Sequence, residues 1–166
     1  MEKIPNIWLD KKDEGYNCFG CAPHNPIGLH LEFFRDGDET VCFWNPSRNL
    51  SSWVDVVHGG VQCVVLDEIS AWTITENLDT CGVTAKMEVK YLQPLLFSDG
   101  QIEVRAKLVS SGRITIVKSW IVNGKGKICT TAEMRFYIYP QKTAIEKFHY
   151  TPKAHRLNRF SQINTK

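Results

Sequence analysis

The residues best placed by type and spacing to do chemistry are a turn, His58-Gly59-Gly60, and an acid seven positions beyond it, Asp67. Glycines where a loop becomes a helix let a ligand approach backbone N–H groups that lack intrahelical partners and sit at the positive end of the helix dipole. Such donors can polarise a carbonyl and hold the oxyanion that forms on it. His-Gly-Gly alone is a weak signal, because a turn into a helix favours glycine anyway. Asp67 strengthens it: an acid within a helix apolar nearly all round loses hydration unless it has a partner or a task. Seven residues are two helical turns, so Gly60 and Asp67 share one stripe about 10 Å apart along the axis, and one cleft sees both. A carboxylate there could activate water or attack a carbonyl directly. The alternative is an Asp satisfied by Ser70 or Thr73, with no task. A carbonyl reacts at contacts of about 3 Å, so 10 Å within one chain is long. A two-fold dimer with antiparallel helices would bring the Gly59 end of one chain towards Asp67 of the other.

The elements that must position these residues are legible from periodicity. From Gly59 to about Asn77 there is no proline, and Val61, Val64, Val65, Ile69 and Trp72 recur with a 3.6-residue period. Cys63, Leu66, Ala71 and Ile74 widen the stripe, which predicts an enclosed helix. Before it, Ile27 to Phe34 and Thr40 to Trp44 read as a hairpin around Asp36-Gly37-Asp38, and 45–57 as a loop. After it, Gly82 to Leu92 alternates Val83, Ala85, Met87, Val89 and Tyr91 with Thr84, Lys86, Glu88 and Lys90, a strand with one wet face. Gln101 to Val109, Arg113 to Val122 and Lys127 to Tyr139 follow, separated by glycine-bearing turns. Two strands, one buried helix and four strands predict an α+β domain, a long antiparallel sheet wrapped around one central helix.

Composition bounds the rest. At 166 residues, 43% hydrophobic and 23% charged, the chain suits one globular core. A net charge of +2 gives no footprint for nucleic acid, and no run of 18 apolar residues or signal-like N-terminus points to a membrane or to export, so a cytoplasmic location is expected. In that reducing compartment the six cysteines are expected to be free. Trp44, Trp53, Trp72 and Trp120 read as core residues. The last 26 residues carry six Lys/Arg against Glu146 and read as a solvated basic tail.

The string His58-Gly59-Gly60-Val61-Gln62-Cys63-Val64-Val65-Leu66-Asp67, followed by Gly82-Val83-Thr84-Ala85-Lys86-Met87-Glu88-Val89-Lys90-Tyr91-Leu92, resembles the hotdog-fold acyl-CoA thioesterases of the phenylacetate-degradation (PaaI-like) type. Cys18-Phe19-Gly20-Cys21 with Asn25-Pro26-Ile27-Gly28-Leu29 is similar to a prokaryotic subgroup of that family. The resemblance spans about Cys18 to Tyr139. It divides the chain into an N-terminal extension (1–17), a hotdog thioesterase domain (18–140) and the basic tail (141–166). It implies hydrolysis of a small or medium acyl-CoA, with CoA only as part of the substrate and no metal or organic cofactor. The expected assembly is a dimer or dimer of dimers with the substrate along the subunit boundary. Carried over residue by residue, the Gly59 N–H binds the thioester oxygen, Asp67 is nucleophile or general base, and Thr84 helps to position water. His58, Gly60, Ser52 and Trp53 line the substrate. Relatives often hold Asn or Gln where this chain has the shorter Ser52, a departure that makes a non-catalytic acyl-CoA binding protein the alternative. A hydratase ranks below both, because the Asp-x4-His pairing is absent.

Two further signals have ordinary readings beside functional ones. Lys86 and Lys90 could meet the phosphates of coenzyme A, against the alternative of a solvated face shared with Glu88. Cys18 and Cys21, with His24 and His30 nearby, amount to half a zinc site; the alternative is a glycine turn packing two small thiols at the edge of the pocket.

Overall fold

The computed structural model describes residues 1–156. Its central helix, α1 (Gly59–Leu78), buries Val65, Leu66, Ile69, Trp72 and Ile74, as the apolar stripe requires. Its β-branched residues and hydroxyls favour helix weakly, so packing must hold it. The buried hydroxyls of Ser70, Thr73 and Thr75 donate to the carbonyls of Leu66, Ile69 and Ala71, one turn back, and need no other partner.

Around α1 curls one antiparallel sheet of β1 (Glu2–Ile4), β2 (Phe33–Asp36), β3 (Glu39–Trp44), β4 (Gly82–Tyr91), β5 (Ile102–Ser110), β6 (Ile114–Val122) and β7 (Ile128–Ile138). The strand order is β1-β2-β3-β5-β6-β7-β4, which leaves β4 at an edge, paired only with β7. The strands alternate as expected: in β6, Thr115, Val117, Ser119 and Ile121 are buried between exposed or half-buried neighbours. The predicted α+β architecture, a long sheet around one helix, is the one observed.

Several expectations are corrected. The segment predicted as a strand from Ile27 to Phe34 joins the ladder only from Phe33, because the N–H groups of Leu29 and Leu31 donate to the carbonyls of Phe19 and Gly20 instead. The alternation still marks the inner face: Leu29, Leu31 and Phe33 are buried. Trp53, read as core, is 79% exposed at the tip of the loop before α1, beside Val54. The solvated tail is corrected as far as Arg156. Residues Gln141–Phe148 form a helix, α2, whose Ala144 is buried, and Tyr150 and Arg156 are buried behind it. The rest of that segment, 157–166, lies outside the described residues.

The six cysteines are free thiols. Among the described residues no helix is long and apolar enough to cross a membrane.

Candidate active site

The loop entering α1 is braced on both sides. Ser52 N–H donates to the Val56 carbonyl at 2.9 Å, and Asp55, at φ 62°, binds the Ser98 hydroxyl and lies 3.3 Å from Arg48. Val57 N–H reaches the Leu95 carbonyl and His58 N–H the Leu50 carbonyl, each at 2.9 Å. Beneath the turn, buried Gln62 donates to the Val57 carbonyl at 3.0 Å and accepts from the Thr130 hydroxyl of β7. The start of the helix is therefore tied to the sheet by a satisfied polar network, which fixes where its N–H groups point.

Those N–H groups are not equivalent. The Gly60 N–H donates to His58 Nδ1 at 2.9 Å, so His58 is the N-cap and carries any neutral-ring proton on Nε2. The N–H groups of Val61 and Gln62 donate to the His58 carbonyl. Gly59 N–H has no acceptor among the described residues, which leaves one unspent donor at the positive end of the helix.

Tyr91, at the end of β4, covers this turn. Its hydroxyl donates to the Gly59 carbonyl at 2.9 Å and lies 3.1 Å from Cys63 Sγ. A Cβ on residue 59 would stand 3.2 Å from that hydroxyl, so glycine keeps the turn open. Burial, then the Cys63 contact, pushes the phenol up to about 12, so it stays a donor near neutral pH. Tyr91, Gly59, Gln62, Ser52 and Trp53 line a cavity of about 520 Å³.

Asp67 lies two turns further along α1, half-buried, and Thr84 Oγ1 donates to its Oδ1 at 2.6 Å. Ser70 and Thr73, its alternative partners in the sequence reading, bond to helix carbonyls instead. Asp67 Oδ2 has no hydrogen-bond partner among the described residues.

Thr84 reaches Asp67 because of a β-bulge. The β4–β7 register shifts between Thr84 and Lys86, so Thr84 stands opposite buried Phe136 while Lys86 and Lys90 stand opposite Arg135 and Thr131. Strict alternation had put Thr84 on the wet face with those lysines; the inserted residue moves it to the helix side. Lys86 pairs with Glu88 at 3.4 Å, and Lys90 borders a cavity on the outer face with Lys118 and Trp120. Within one chain neither lysine joins Gly59 and Asp67.

Of the residues singled out by sequence, the fold brings His58, Gly59, Gly60, Ser52 and Trp53 to one turn and pairs Asp67 with Thr84. Gln62 and Tyr91 had not been singled out. Gln62 carries the same signal as Asp67, a polar group in an apolar helix. Tyr91 was hidden by its fit to the apolar parity of β4.

The fold has counterparts. The sequence profile of the Thioesterase superfamily matches residues 55–130, from the loop before α1 into β7. An uncharacterized protein of Schizosaccharomyces pombe is 26% identical over 137 residues, 78% of this chain and 77% of that protein. A crystal structure of a thioesterase superfamily protein aligns with a TM-score of 0.66 at 21% identity, over 72% of this chain and 62% of that one. A hypothetical thioesterase protein from Streptococcus pneumoniae, crystallised with coenzyme A, aligns with a TM-score of 0.60 at 21% identity, over 67% and 87%. The pneumococcal protein has also been crystallised with an aspartate, and separately a threonine, replaced by alanine. The chain thus matches the Thioesterase superfamily over residues 55–130 and has the hotdog fold of the thioesterase superfamily structures it resembles.

Proposed function

We propose that the protein hydrolyses a small or medium acyl-CoA thioester to the free acid and CoA. The observation that carries this reading is the pairing of one unspent donor, Gly59 N–H, with one half-clamped carboxylate, Asp67, on a single helix. The Gly59 N–H donates to the thioester oxygen and stabilises the oxyanion. Asp67, oriented by Thr84, takes a proton from water as the water oxygen attacks the carbonyl carbon, or attacks that carbon itself. In the water route, collapse of the tetrahedral centre breaks the C–S bond and the CoA sulfur takes the proton held by Asp67. In the direct route, collapse expels CoA thiolate and leaves a mixed anhydride on Asp67, which water hydrolyses to the free acid and the carboxylate, the released proton going to the thiolate. No metal or organic cofactor enters these steps. The coenzyme A bound to the pneumococcal structure, and the residue types replaced in its variants, support the same reading. The finer assignment to the phenylacetate-degradation type rests on the His58-Gly59-Gly60 to Asp67 spacing.

The two groups lie two turns apart, so the reading includes a homodimer, or dimer of dimers, in which each site takes Gly59 from one chain and Asp67 from the other. The ten-residue edge of β4 supports this, because a long unpaired strand is a natural place for a second copy to dock. Val83, Tyr91 and Leu92 on and beside it are exposed. Lys86 and Lys90 reach coenzyme A phosphates only if assembly carries the outer face of β4 to a neighbouring site.

The test is a panel of acyl-CoAs with released thiol followed continuously. The expected result is turnover on at least one short or medium acyl chain. Calorimetric binding of acyl-CoA with no thiol release would replace this reading with the binding protein that Ser52 keeps open.

A further inference from the structure

The turn Cys18-Phe19-Gly20-Cys21 takes no part in the chemistry above, yet the fold presses it against α1 beside the candidate site. Cys18 Sγ lies 3.4 Å from both carboxylate oxygens of Glu68, and the ligating atoms of Cys18, Cys21 and Glu68 all fall within 4.8 Å of one another. His24 and His30, the ligands that sequence proximity suggested, are occupied elsewhere: their Nε2 atoms bond the carbonyls of Tyr16 and Asn25, each at 2.7 Å. The half-site is extended by a carboxylate from the central helix instead.

The turn is shaped to admit that carboxylate. A Cβ on Gly20 would come within 2.4 Å of Glu68 Oε2, so a side chain there would drive Glu68 from the thiols. Among the described residues Glu68 is in no ion pair with Lys or Arg; besides the thiols it accepts from the Trp72 indole at 3.2 Å. Cys21 is buried, Cys18 and Glu68 are half-buried, and all three border a cavity of about 390 Å³ shared with Tyr16 and Trp72. Three groups able to carry negative charge thus converge without a cation of the protein's own.

We infer that Cys18, Cys21 and Glu68 form a binding site for a zinc-class divalent cation, with two thiolates and one carboxylate as ligands and the fourth position open to the cavity. Sulfur and carboxylate oxygen are both zinc ligands, at about 2.3 and 2.0–2.2 Å, and a tetrahedron of such bonds has edges of about 3.5 Å, within the span the three groups already occupy. Binding converts two S–H groups to thiolates and releases two protons, so the divalent ion and three anionic ligands carry a net charge of −1. The ion joins the N-terminal turn to α1 one residue from Asp67. Its effect is on stability, and it takes no part in hydrolysis.

The test uses the full chain, reduced and stripped with a chelator, titrated anaerobically with Co²⁺ and then with Zn²⁺. The expected result is one equivalent of Co²⁺ with a thiolate-to-cobalt charge-transfer band, displacement by Zn²⁺, and a thermal midpoint raised by Zn²⁺. Cys18→Ser and Cys21→Ser should each weaken the band and the affinity. Glu68→Gln, which preserves shape, should keep the band and lower the affinity at least tenfold, while Cys63→Ser leaves metal uptake unchanged. The inference is overturned if the reduced protein takes up no stoichiometric metal, including the case in which Cys18 and Cys21 close to a disulfide under mild oxidation. Uptake that is the same in Cys21→Ser overturns it as well.

Discussion

The two ends of α1 treat their polar groups in opposite ways. At the N-terminal end, among the described residues, Gly59 N–H lacks an acceptor and Asp67 is clamped on one oxygen only, both beside the open edge of β4. At the C-terminal end, buried Glu76 meets Arg156 at 2.6 Å, Lys153 at 3.5 Å and the guanidinium of Arg35. Asp79, the C-cap, accepts from the Tyr150 hydroxyl and from Lys153 N–H, each at 2.8 Å. A cavity of about 740 Å³, larger than the one beside Gly59, lies at this second end, but its charged groups are already paired with one another. Size alone would point away from the site proposed above. Unspent donors and half-used acceptors mark the end proposed to act on a substrate, and mutual satisfaction marks the end that holds the fold.

The comparison can be broken at either end. The largest effect is expected for Asp67→Asn, which keeps the shape and removes the charge: kcat for thioester hydrolysis should fall at least about a hundredfold, with little change in the thermal midpoint. Next is Glu76→Ala, which leaves Arg156 buried without its carboxylate. A loss of about 3–5 kcal/mol is expected in denaturant unfolding, with kcat per folded molecule within about twofold of the original. The same group gives the fold an acid limit. Burial raises the Glu76 carboxyl, but the bonds from Arg156 and Arg35 outweigh it and hold the group below the usual carboxylate range. Its contribution is therefore present above the ordinary carboxylate pKa and is lost as pH falls below it towards the depressed value. Glu76→Gln should flatten that part of the stability profile.

Smaller effects sharpen the active end. Thr84→Val removes the hydroxyl that orients Asp67, and about a tenfold fall in kcat is expected. Tyr91→Phe removes the bond to the Gly59 carbonyl, and kcat/KM should fall about threefold, near 0.6 kcal/mol, with Asp67 unaffected.

How far the sequence discloses these ends follows from what determines them. Helix α1 and strands β4 to β7 are legible because one period runs along each. The His58 turn and Asp67 stand out because their types are unusual at their positions. The facing of Thr84 is not legible from alternation, because a single inserted residue reverses it. The C-terminal latch is hidden for another reason: Arg156 reads as one more basic residue in a tail until folding brings it to Glu76, 80 positions earlier. Strand β1, three residues long, is too short to carry a pattern.

The most direct test measures thiol release and thermal unfolding side by side in Asp67→Asn and Glu76→Ala. The expected result is crossed, with turnover lost and stability kept in the first, and stability lost and turnover per folded molecule kept in the second. Wild-type kcat in Asp67→Asn would contradict it.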